Sequence, residues 1–153
     1  MATSDLHQFD ARMKALGRTI AANSDKLVRK CALAIDGAVI LATPVDTGRA
    51  RSNWQVSLNE PNSATREPYA PGLAGSTGGA NAQAAIAQGQ AVIPQYTYER
   101  AQAGVFITNN LPYIGRLNNG HSAQAPAGFV EKGIMVGVQA VRNAGGVVKG
   151  GGA

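Results

Sequence analysis

The sequence predicts an α+β domain in which a long N-terminal helix packs on a small, mainly antiparallel sheet and a C-terminal amphipathic helix closes the fold. Three observations predict it. Apolar residues recur every three or four positions between residues 4 and 43, stretches 50–59 and 104–110 read as strands, and helical spacing returns after Pro126. Residues 1–143 are assigned to one domain and 144–153 to a glycine-rich tail.

In the first helix Leu6, Phe9, Met13, Leu16 and Ile20 share one face. After the capping cluster Asn23-Ser24-Asp25, the stripe resumes with Leu27, Cys31, Ala34, Ala38 and Leu41. Gly17 and Asn23-Ser24 suggest a break near residues 17–24. Val28, Ile35 and Val39 widen the second stripe, so that part needs cover on more than one side, from the core or from a neighbouring subunit.

Pro44 stops the helix because it has no N–H and disfavours helical geometry at Thr43. Asp46 and Thr47 can accept from nearby amides, and Gly48 can take a positive φ. Beyond this corner Ala50, Ser52, Trp54, Val56 and Leu58 alternate with Arg51, Asn53, Gln55, Ser57 and Asn59, the pattern of a half-buried strand anchored by Trp54. The excursion from 60 to 103 is rich in proline and glycine, with a short alanine-rich helix expected at 81–92. An excursion of this length is expected to be functional or held by a partner.

GVFITNN, residues 104–110, is β-branched and aromatic and reads as the second strand. Pro112 suits a first helical position, Tyr113 and Leu117 lie one turn apart, and Gly120 is placed to end that helix. In the last helix Val130, Ile134, Val138 and Val141 are expected to face the core, opposite Glu131, Gln139 and Arg142. The tail AGGVVKGGGA would order only against a neighbouring subunit.

Catalytic signatures are sparse. Asp46-Thr47-Gly48 is the triplet of aspartic proteases, which need two aspartates and would here require a dimer. Yet a long helix runs into the triplet, and Arg49 beside it favours two ionised carboxylates over a shared proton. GHSAQ at 120–124 has Gln124 where a nucleophile elbow needs glycine, and GLAGSTGG lacks the lysine of a phosphate loop. His7 and His121 have no spaced ligands around them, and Cys31 is the single cysteine, so neither a metal site nor a disulfide framework is expected.

The net charge of +5 is the balance of 14 basic against 9 acidic residues, the basic ones spread along the chain without the aromatic interleaving of a nucleic-acid platform. No apolar run approaches a membrane span, and the amphipathic N-terminus is unlike a signal peptide, so the chain is expected in the cytoplasm where it is made.

Two stretches in order, TPVDTGRARSNW and VFITNNLPYIGRLNNGHSAQAPAGFV, resemble the tail-completion or neck proteins of tailed bacteriophages over residues 25 to 142. The resemblance rests on Pro44, Asp46, Thr47, Gly48 and Trp54 in the first, and Pro112, Tyr113, Gly120, His121, Ser122, Gln124 and Gly128 in the second. It departs at Asn118-Asn119, where relatives often carry an acidic residue, and across 60–103. It implies an α+β virion component at the head-tail junction, reached from the host cytoplasm, without enzymatic activity or cofactor. The implied assembly is a ring of about six or twelve copies. Implied partners are other neck, head-connector or tail-terminator proteins, with double-stranded DNA passing through regardless of sequence. Arg49, Arg51 and Arg116 are the candidate DNA or partner contacts. Two other readings stay open, a small basic DNA-binding or regulatory protein and a dimeric aspartic protease using Asp46.

Overall fold

The structure, a computed structural model, describes residues 2 to 145. Its backbone is α1 (Ala2–Ala42), one helix of 41 residues and about 60 Å in length. The break expected near 17–24 does not occur. Gly17 has open space around it and costs only about 1 kcal/mol relative to alanine, too little to interrupt a helix bonded on both sides.

The two parts of α1 differ sharply in surroundings. Residues 3–22 are exposed throughout, whereas from Asn23 onward the helix enters the body and buries Ala32, Asp36, Val39 and Ile40. The body is built from α2 (Arg49–Ser52), β1 (Gln55–Leu58), α3 (Gly78–Val92), a 3-10 turn (Ile93–Gln95), β2 (Val105–Thr108), α4 (Ile114–Asn118) and α5 (Phe129–Asn143).

The sheet has two antiparallel strands, with Val56 opposite Ile107 and Leu58 opposite Val105. The first strand is shorter than its alternation predicts. Gly48, at φ 82°, starts a single helical turn over Arg49–Ser52, and Asn53 ends it, donating from its side chain to the Arg49 carbonyl at 2.7 Å. Ala50, Ser52 and Trp54 are all buried, but the first two are buried by a turn and not by a pleat.

The α5 helix runs antiparallel to α1, and its buried positions are Phe129, Gly133 and Gly137. Cβ atoms at Gly133 and Gly137 would collide with Val39 and Ile35 of α1, so these two glycines let the helices approach backbone to side chain. This rotates α5 away from the expected face: Val130, Val138 and Val141 are only partly covered, and Ile134 lies exposed beside Met135 and Val136.

Val39, Ile40, Trp54, Ala82, Ala85, Ala125 and Phe129 form the main core, and Ile107 links it to a smaller cluster of Ala32, Val56 and Ile93. The helix expected at 81–92 lies inside α3. Pro112 precedes α4 by two residues instead of opening it, and Tyr113 is the capping residue; Gly120, at φ 89°, follows the helix end as expected. Apart from Ala144 and Gly145, the glycine-rich tail and its expected ordering lie outside the described residues. No helix among the described residues is long and apolar enough to cross a membrane.

Candidate functional site

The corner after α1 is fixed from within the chain. Thr43 keeps its N–H bonded to the Val39 carbonyl at 3.1 Å, and its hydroxyl donates to the same oxygen at 2.6 Å while accepting from Trp54 Nε1 at 2.8 Å. Trp54 thus seats on the end of α1 through a buried polar contact as well as its ring.

Arg51 closes the helix end from the other side. Its guanidinium donates to the carbonyls of Leu41 at 2.9 Å, Thr43 at 3.0 Å and Gly78 at 3.1 Å, so a cation sits where α1 leaves its last oxygens unpaired. Partial burial lowers its pKa. Arg49 reaches Glu67 at 3.5 Å on the surface, and Arg116 is exposed on α4. Of the three candidate phosphate contacts, Arg51 has its donors directed into the chain.

Asp46 pins the loop before α3. Its carbonyl accepts from Gly75 N–H at 2.9 Å and its carboxylate from Ala74 N–H at 3.3 Å. Thr47 Oγ1 accepts from Arg49 N–H at 3.4 Å. At Gly48 the positive φ and the proximity of Asn81 both require glycine, since a Cβ there would run into the Asn81 side chain.

Residues 44–54 and 112–128 meet here, although they are far apart in sequence. Gln124 accepts from Val45 N–H at 2.8 Å and donates to the Val45 carbonyl at 2.8 Å. Between them runs a cleft of about 330 Å³ lined by Pro44 to Ala50 on one side and Tyr113, Leu117, His121, Ser122 and Gln124 on the other. Burial raises the Tyr113 pKa, His121 is exposed, and Ser122 accepts from the Gln124 N–H at 3.2 Å.

Gly128, at φ 79°, opens α5, and Asn118 caps it: its Oδ1 accepts from Val130 N–H at 2.9 Å and its Nδ2 donates to both Glu131 oxygens at 3.0 and 2.9 Å. The Asn118 contact holds the Glu131 carboxyl below its ordinary pKa.

Sequence reasoning missed a recurring device. Three further carboxamides grip one residue's N–H and C=O together, as Gln124 grips Val45: Asn53 holds Arg66, Asn81 holds Ala70 and Gln88 holds Val56, all at 2.8–2.9 Å. Each reproduces the pairing of an added strand. Gln88 therefore closes the free edge of β1, and Asn53 and Asn81 tie down the excursion after residue 60. The run 81–92 carries four carboxamides, Asn81, Gln83, Gln88 and Gln90, and nothing in their spacing singles out the two that grip.

Asp36 was also missed. Only 2% exposed, it faces Gly89 of α3 with Oδ1 unpartnered, and burial raises its pKa to about 7. Among the described residues no group of three His, Cys, Asp or Glu side chains could hold a metal ion. No family model, curated protein or solved structure matches the chain.

Proposed function

We propose that the chain is a structural virion protein of a tailed bacteriophage, a tail-completion or neck component forming part of a ring at the head-tail junction through which DNA passes. The observation that carries this reading is the meeting of residues 44–54 with 112–128 in one corner, joined by Gln124 on Val45. The two stretches of the resemblance thus act as one structural unit. Their residues are engaged in fixing turns, ends and edges: Trp54 on Thr43, Asp46 on the 72–77 loop, Gly48 against Asn81. Such a corner supplies stiffness, which a ring component needs and a loose adaptor does not. The exposed helical arm supplies surface for a neighbour.

In this reading Arg116 is the exposed arginine open to partner rings or passing phosphates, Arg49 is shared with Glu67 and the Arg66 carbonyl, and Arg51 is structural. The test is native mass spectrometry of the full chain, alone and mixed with head-connector, neck and tail-terminator proteins. A closed ring of defined copy number is expected with at least one of them. A chain that never exceeds two copies with any such partner would contradict the reading.

A further inference from the structure

The exposed part of α1 carries a seam that nothing in the described chain covers. Leu6, Phe9, Met13, Leu16 and Ile20 are exposed by 67, 62, 50, 43 and 37%, and they alternate three and four residues apart. That alternation, with a mean period of about 3.5 residues, is the spacing of a coiled-coil seam. A contiguous row of five large apolar side chains exceeds the scattered exposure normal for a surface.

Charge selects the occupant. Asp5, Asp10 and Arg12 flank the seam and Lys26 returns to its edge where the arm enters the body, whereas Lys14 pairs with Asp10 of its own helix at 2.8 Å and Arg18 lies on the opposite face. Side by side in the same direction, two such arms would set Asp5 of one beside Asp10 of the other, since these flank the seam at its edges. In opposite directions, with Met13 set against Leu16, Asp5 of each arm lies beside Lys26 of the other and away from Asp10, and the helix dipoles also oppose. The arm is complementary to itself reversed.

We infer that residues 5–23 of two copies of this chain pair as an antiparallel coiled coil. The register that uses the whole seam sets Met13 against Leu16 of the second copy, Phe9 against Ile20, and Leu6 against Asn23, where the arm enters the body. The paired length is about 28 Å, and the two bodies stand at opposite ends. The pairing goes beyond the junction reading. It gives even copy numbers a physical basis, since each arm contact joins copies two by two.

The test uses the full chain with Cys31→Ser, carrying either Met13→Cys or Leu16→Cys, and no other protein. Oxidising an equimolar mixture should give a disulfide-linked dimer containing one of each. Either variant alone should remain mostly unlinked. A strong homodimer from Met13→Cys alone would mean parallel arms and overturn the proposal, as would no cross-link in the mixture.

Sedimentation gives the second readout. Phe9→Glu with Leu16→Glu should weaken the dimer at least about a hundredfold while the circular dichroism of the body is kept. Unchanged dimerisation would place the contact elsewhere and sink the proposal. Because no phage component is present, failure here leaves the ring reading standing, and failure of ring formation leaves the pairing standing.

Discussion

The outer and inner parts of α1 share a helix and a spacing pattern but not a fate. From Asn23 to Ala42 most apolar positions meet Trp54, α3 and the glycine face of α5, although Leu41, expected in the covered stripe, is 60% exposed; from Thr3 to Ala22 all are exposed. Periodicity tells which residues of a helix share a side and says nothing of what covers it. A helix this length would fray at its bare end if isolated, and the body acts as its nucleus.

The contrast can be broken most severely in the body. Trp54→Ala removes the ring that seats β1 on α1 and leaves Thr43 Oγ1 without its donor, and about 3–5 kcal/mol of unfolding free energy should be lost in urea titrations. A loss below about 1 kcal/mol would mean that Trp54 does not hold the corner to the end of α1.

Asp36 sharpens the comparison by pH. Its folded-state pKa, about 7, lies above the ordinary 3.8, so between these values the folded chain holds a proton that the unfolded chain has released. The Asp36 contribution to stability should therefore be fully present below about pH 4, fall by on the order of a few kcal/mol towards pH 7, and level off above it. Asp36→Asn should flatten that component and stabilise the body at pH 8. Parallel slopes for both proteins would contradict the assignment.

Arg51→Met should cost about 2 kcal/mol by freeing the carbonyls of Leu41, Thr43 and Gly78, and the loss should persist in high salt because these are hydrogen bonds to neutral oxygens. Gln124→Ala should cost about 1 kcal/mol or somewhat more, since Val45 loses both partners. The smallest effect falls on the arm. Phe9→Ser should change the unfolding of dilute, monomeric chain by less than about 0.5 kcal/mol, because the side chain is exposed and lies outside both core clusters. A larger loss would show that the arm folds back on its own body.

Much of the fold was legible where one element obeys one rule. Helical spacing marked α1 and α5, the β-branched run marked β2, and Pro44 with Gly48 marked the corner. What escaped the sequence depends on two distant elements at once. The turn at Arg49–Ser52 imitates strand alternation because its burial comes from α3 and the Asn81 network. The face of α5 is set by absent side chains at Gly133 and Gly137, which a search for apolar residues passes over, although glycines four apart in a helix are a readable signal of close packing. The carboxamide grips were illegible because a glutamine on a helix usually faces water, and only the loop it meets makes it structural.

Hydrogen exchange along α1 tests the division of the helix most directly. In dilute chain the amides of residues 6–20 should exchange orders of magnitude faster than those of 31–42, and raising the concentration should protect the first group while leaving the second unchanged. Uniform protection of α1 in the dilute chain, or an arm that stays unprotected when the chain associates, would contradict the account.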